Sequence, residues 1–293
     1  MTSRKVVELL RAQAASDGDG VKLMRVFGGK DLERFDPFLM MDEFGSDTPG
    51  DYMGGFPSHP HRGFETITYM LEGHMEHKDH MGNVGDLQKG DVQWMTAGAG
   101  IIHSEMPKQA EGRLRGFQVW LNLPARDKMQ APSYRDITAA EIPVYQTGDL
   151  RIKAIAGRLK TVGIDSASIE LEGTVTNAGT VTNAGTEPGY LDINFTSAQT
   201  HSFSVPDDHT VLLYVYEGEL LAGEDKVKVA RSQMARLSGY GDITLESKGA
   251  ASVLLLSGRP LKEPIVHYGP FVMNSREEIE QALRDYKAGT LAG

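Results

Sequence analysis

Short apolar runs recur along most of the chain, separated by Gly, Asp, Asn and Pro. Glu65 to Leu71 (ETITYML), Gly116 to Leu123 (GFQVWLNL), Tyr190 to Phe195 (YLDINF), Thr210 to Tyr216 (TVLLYVY) and Ala251 to Leu256 (ASVLLL) are rich in β-branched and aromatic residues. Each is short and bounded by turn formers, the pattern of strands in an all-β sandwich or barrel. One helix is predicted, near the C-terminus. Ser275 and Glu278 form an S-x-x-E capping box, and Ile279, Ala282, Leu283 and Tyr286 recur behind it at helical spacing. That stripe is expected to dock on a sheet.

The pattern also repeats on a larger scale. TYMLEGHM (Thr68 to Met75) resembles YVYEGELL (Tyr214 to Leu221), and Gly98-x-Gly100 resembles Gly239-x-Gly241. Both halves therefore read as strand, Glu-Gly turn, strand, then a Gly-x-Gly corner, which predicts two copies of one antiparallel β-barrel unit. A Pro-punctuated polar stretch between Leu123 and Tyr145, containing Ala125-Arg126-Asp127-Lys128, marks the boundary. The expected division is residues 1–135 and 136–293, with the helix in the second part. The tandem TVTNAG repeat (Thr174 to Gly185) reads as a polar surface loop.

Composition narrows the function. At roughly 150 residues per domain, 293 residues suit two units. Thirty Lys and Arg against 40 Asp and Glu give a formal charge of −10, which repels a phosphate backbone, so direct nucleic-acid binding is not expected. The absence of cysteine excludes disulfides, thiolate metal sites and Cys nucleophiles. No signal peptide is readable in the first twenty residues and no run of about 18 apolar residues occurs, so a cytoplasmic protein without a membrane segment is expected.

The chemistry concentrates in two segments. In His59-Pro60-His61 an extended backbone directs both imidazoles to one face, and in His103-Ser104-Glu105 the same parity pairs an imidazole with a carboxylate. If both segments line one small barrel, three imidazoles and a carboxylate converge. Such a set suits a borderline divalent ion (Fe(II), Ni, Co, Mn, Cu or Zn) without any thiolate. Counting back from the Glu-Gly turn of the second copy places Ser204 and Pro206 where His59 and His61 stand; the Gly-x-Gly corner places Thr244 and Glu246 where His103 and Glu105 stand. The second barrel is therefore expected to be metal-free.

HPHRGFETITYMLEG (His59 to Gly73), GDVQWMTAGAGIIHSEMP (Gly90 to Pro107) and the tail EPIVHYGPFVMNSREEI (Glu263 to Ile279) resemble the pirin branch of the cupins. The resemblance implies a bicupin, two antiparallel jelly-roll barrels with one metal, usually iron, in the N-terminal barrel. Its ligands fall on His59, His61, His103 and Glu105. The general cupin motif H-x-H-x(3,4)-E takes its acid from the first segment instead, and Glu65 stands at that spacing. The pirin-like pattern favours Glu105 and leaves Glu65 as a partner that orients a ligand imidazole.

The resemblance further implies a quercetin 2,3-dioxygenase, which opens the heterocycle of a flavonol with O2 and releases CO. Glu105 would serve as both ligand and proton acceptor, on a protein expected to be monomeric. The alternative it implies is an iron-dependent, redox-sensitive regulator that binds transcription or metabolic partners. The remaining histidines read as structural. His74, His77 and His80 stand among Glu76, Lys78 and Asp79 in what looks like a solvated hairpin; His201 and His209 read as surface residues; His267 has no visible partner. Phe56, Trp94, Met95 and Phe117 are expected to supply apolar walls.

Overall fold

The computed structural model describes residues 3–163, 168–175 and 185–292. Most of the tandem repeat, residues 176–184, lies outside them. The predicted strands form where the sequence placed them: Phe64–Glu72, Leu114–Asn122, Gly189–Phe195, Thr210–Glu217 and Ala251–Gly258. Two more, Ser133–Ile137 and Val144–Thr147, form in the stretch read as a polar boundary. The helix runs from Arg276 to Ala288, with Ser275 as N-cap and the reciprocal Glu278 bonds of the capping box both present.

The strands are antiparallel and lie in two main sheets per unit rather than in one closed ring, with a separate two-stranded hairpin near the C-terminus. In the site-bearing unit, seven strands run in the order Ser133–Ile137, Val92–Thr96, Phe64–Glu72, Leu114–Asn122, Phe38–Ser46, Val21–Phe27 and Gln13–Asp17. The accompanying sheet holds Phe56–His61, Ile101–Pro107, Met75–Asp79 and Val84–Leu87. The other unit repeats the plan with sheets of seven and six strands around a core that includes Leu191, Phe203, Leu213, Leu245 and Leu255, all fully buried or nearly so.

A single cut at 135/136 does not describe the two units. One comprises residues 1–12 and 140–260, the other 13–139 and 261–293. The physical reason is strand pairing and packing at the chain ends. Val6–Arg11 completes the edge of a sheet built otherwise from residues beyond 140. The hairpin Val266–Tyr268 and Phe271–Met273, with the helix, packs through Phe271, Met273, Ile279 and Ala282 and belongs with the first half of the chain. Leu283 and Tyr286 remain exposed, so the docked stripe is narrower than the periodicity suggested.

Two residues fix the hairpin to the strand that carries His59 and His61. Gly63 has a φ of +91°, and a Cβ there would lie 2.1 Å from the Val272 carbonyl oxygen, so only glycine permits the approach. Lys128, from the stretch read as a polar linker, is instead 1% exposed. Its ammonium donates to Gly63 O (2.6 Å), Asn122 Oδ1 (2.6 Å) and Val272 O (3.0 Å). Burial pushes it down to about 7, while three carbonyl acceptors call for the three N–H donors that only the charged form has.

Candidate metal centre

Antiparallel pairing of Phe56–His61 with Ile101–Pro107 brings the two sequence segments together. His103 lies directly opposite His59, and Ile101 opposite His61; a register shift follows between His103 and Glu105. Ring centroids are 4.7 Å apart for His59 and His61, 4.4 Å for His59 and His103, and 4.9 Å for His61 and His103. One nitrogen from each ring falls within 4.8 Å of the others, a grouping able to hold a metal ion. The Glu105 carboxylate is outside that group but lines the same cavity and is 5% exposed.

The ring nitrogens are sorted by their partners. His59 Nδ1 donates to the Pro57 carbonyl at 2.8 Å, which leaves Nε2 with the lone pair. His103 Nδ1 lies 2.8 Å from His77 Nε2, while its Nε2 is buried with no hydrogen-bond partner. His61 Nδ1 is likewise buried and unpartnered. Orphaned imidazole nitrogens in rings grouped this closely are costly in a protein interior and are what a cation would satisfy. Burial, reinforced by the neighbouring imidazoles, pushes His61 and His103 well below the usual histidine range. Both are thus held neutral, as metal ligation requires. The residues present fit a divalent ion.

The carboxylates divide as follows. Thr68 Oγ1 lies 3.2 Å from Glu105 Oε1 and 2.6 Å from Gln118 Oε1. The Thr68 hydroxyl is in donor range of both oxygens, the Gln118 contact being the shorter, and it stands against one carboxylate oxygen of Glu105. Glu65 is 1% exposed and accepts from Trp94 Nε1 at 3.2 Å and Thr96 Oγ1 at 2.8 Å.

Thr68 and Gln118 belong to a longer feature. Arg25, Asp42, Gln118, Thr68, Gln93 and Asp136 stand opposite one another, strand by strand, across six neighbouring strands. In-register neighbours share a face, so these side chains form a polar row about 4.8 Å apart per step. Arg25 makes a two-pronged contact with Asp42 (3.0 and 2.8 Å), and Gln93 Nε2 donates to Asp136 Oδ1 at 2.7 Å. Burial pushes the Asp42 carboxyl up even beside that guanidinium.

Arg25, Asp42 and Gln118 line the cavity with His59, His61 and Glu105. The cavity measures about 540 Å³, and most of its wall is apolar, with Met40, Phe44, Phe56, Met75 and Trp120 among the lining residues. His267, Gly269, Pro270 and Val272 of the C-terminal hairpin also line it. His267 is therefore a wall residue; its Nε2 donates to the Gly269 carbonyl at 2.7 Å. Of the four residues expected to supply apolar walls, Phe56 faces the cavity, and Trp94, Met95 and Phe117 are fully buried as packing residues of the fold.

Three histidines depart from expectation. His77 is 0% exposed and contacts His103. The signal was present in parity: Met75 and His77 share the buried face, and Glu76 and Lys78 the other. His201 and His209 are buried too, at 7% and 4%. In the second unit, pairing of Gln199–Ser204 with Ile243–Ser247 sets Ser202 opposite Thr244, as His59 stands opposite His103. The positions matching His59 and His61 are thus Ser202 and Ser204, two residues earlier than counted from the Glu-Gly turn. Thr244 shares hydroxyl contacts with Ser3 and Ser202, and Glu246 is ion-paired with Lys226 and Lys248.

Two similar antiparallel double-sheet units, one carrying a triad of inward imidazoles, define a bicupin. The Pirin family profile matches residues 20–121, and that of the Pirin C-terminal cupin domain matches residues 190–292. A Pseudomonas aeruginosa protein named "putative quercetin 2,3-dioxygenase" is 54% identical, covering 99% of this chain and 98% of its own. A Vibrio cholerae protein of the same name is 47% identical, covering 98% and 97%. A crystal structure of quercetin 2,3-dioxygenase from Acinetobacter baumannii superposes with a TM-score of 0.86 at 32% identity, covering 99% of each chain. The chain belongs to the pirin family.

Proposed function

We propose that this protein is a metal-dependent dioxygenase that opens the heterocycle of flavonols such as quercetin with O2 and releases carbon monoxide. The observation that carries the reading is the cavity of about 540 Å³, in which His59, His61 and Glu105 meet a mainly apolar wall, with His103 grouped with the two histidines. Its size falls in the range of small-molecule sites. The relatives named for this activity support the substrate class.

In this reading His59, His61, His103 and Glu105 hold a divalent ion, with Fe(II) as the native metal. The bound ion supplies Lewis acidity and a template for the substrate oxygens. The protein does the rest. Glu105 takes the proton of the flavonol 3-hydroxyl on Oε2, because Thr68 occupies Oε1. Met40, Phe44, Phe56 and Trp120 shield the aromatic rings from water. The site lies in a protein working in the cytoplasm on a diffusible aromatic.

The test is incubation of iron-loaded protein with quercetin in air, following loss of the flavonol absorbance together with CO release. His61→Ala and Glu105→Gln are each expected to lower turnover by at least about 100-fold, the smaller end of what a positioned base contributes. Full turnover in both variants overturns the assignment.

A further inference from the structure

Resting on the metal site proposed above, we propose that His77 is a positioning residue for it: His77 accepts a hydrogen bond from His103 Nδ1–H and thereby fixes the tautomer in which His103 Nε2 can ligate. An imidazole that binds a cation through one nitrogen carries its proton on the other, and that N–H needs an acceptor. For His103 the nitrogen left for a cation is Nε2, buried and unpartnered, and the atom facing Nδ1 is His77 Nε2 at 2.8 Å. The direction of the bond follows. Were His77 the donor, a neutral His103 would be protonated on Nε2 and lost as a ligand. His77 must therefore carry its own proton on Nδ1, an atom that is itself buried with no hydrogen-bond partner, a cost that cation binding at His103 has to offset.

The fold holds this pair rigidly. His77 sits on Met75–Asp79, which pairs with Ile101–Pro107 so that His77 is opposite Glu105 and Asp79 opposite His103. The His77 ring is fully buried, its centroid 4.9 Å from that of His103 and 5.6 Å from that of Tyr134. A carboxylate or backbone carbonyl commonly plays the accepting role. Here a neutral imidazole does, so the outer contact adds no negative charge to a site that already includes Glu105.

Cobalt(II) binding to the metal-free protein tests the proposal without recourse to turnover. His77→Leu removes the acceptor at similar bulk and is expected to weaken cobalt binding by about 10- to 100-fold, measured by competition with a chelator. It should also change the visible ligand-field bands. His77→Gln restores an acceptor oxygen and should recover affinity to within about threefold of the parent, by the same argument. Thermal unfolding of the metal-free variants separates lost ligand geometry from lost fold. Wild-type affinity and bands in His77→Leu overturn the proposal, as does equal loss in both variants while their metal-free forms unfold like the parent. Long-range ¹⁵N correlation spectra of the zinc-loaded parent give a check that needs no variant. They should show His77 protonated on Nδ1, and protonation on Nε2 refutes the idea.

Discussion

At the scale of single residues, the site depends on side chains that touch the proposed ligands from outside. Thr68→Val keeps the shape of the side chain but removes the donor to Glu105 Oε1. Metal affinity or flavonol turnover is expected to fall by about 10- to 100-fold, with unfolding of the metal-free protein little changed; titration with cobalt and a turnover assay check both halves. Lys128→Met has the opposite signature. It leaves Gly63 O, Asn122 Oδ1 and Val272 O without their buried donor, at about 1–3 kcal/mol for each orphaned acceptor. A loss of about 3 kcal/mol or more in urea unfolding is expected. Strand parity alone made legible the grouping of His59, His61 and His103, and it put Glu105 on the inner face, where it lines the cavity. The sequence hid His77 and Lys128, because each stands among charged neighbours that mimic a solvated surface. Only the alternation around Met75 and His77 betrays the first, and nothing local betrays the second.

At the scale of elements, the C-terminal helix is anchored twice. Its capping box was readable from Ser275 and Glu278, and Ser275→Ala is expected to cost about 1 kcal/mol in chemical denaturation. Its second anchor was not readable, since it links residues 223 positions apart. Arg62, 4% exposed and next to His61, donates to Asp285 Oδ2 at 2.7 Å and also to the Leu291 carbonyl. The guanidinium holds the Asp285 carboxyl below its usual range. Arg62→Leu takes the paired guanidinium from that acid in the last turn of the helix, leaving Arg284 as the cation acting on it, and a loss of about 3 kcal/mol is expected, the lower end for breaking a mostly buried pair. The polar row from Arg25 to Asp136 was invisible for a related reason. Its members come from six strands, and register between distant strands is set by pairing that the linear sequence does not display.

For the whole molecule, the repeated strand, Glu-Gly turn and Gly-x-Gly corner disclosed two like units, and the division of the chain ends between them escaped notice. Short edge strands such as Val6–Arg11 alternate polar and apolar residues and give no sign of which sheet they join. The buried imidazoles make stability depend on pH in a defined direction. Burial lowers His61, His77 and His103 from about 6.5 in the native state, so the unfolded chain takes up these protons first as pH falls. The contribution of these imidazoles to the stability of the metal-free protein is therefore fully present above about pH 6.5 and declines below it, by up to about 1.4 kcal/mol per pH unit for each group. Denaturant unfolding at pH 7.5, 6.5 and 5.5 checks the sign. Added metal should raise the unfolding temperature, and by less at the lower pH, where protons compete for the same nitrogens.

The hairpin that closes the cavity with His267, Gly269, Pro270 and Val272 gives the pocket a place in time as well as in space. A nascent chain still short of Leu261 already holds all four proposed ligands, but it lacks that wall, the Val272 carbonyl that Lys128 grips and the aspartate that Arg62 pairs with. Translation thus makes the strands of the proposed metal site early and adds the cavity wall last. A chain ending before Leu261 would therefore present His59 and His61 without the wall that His267, Gly269, Pro270 and Val272 provide.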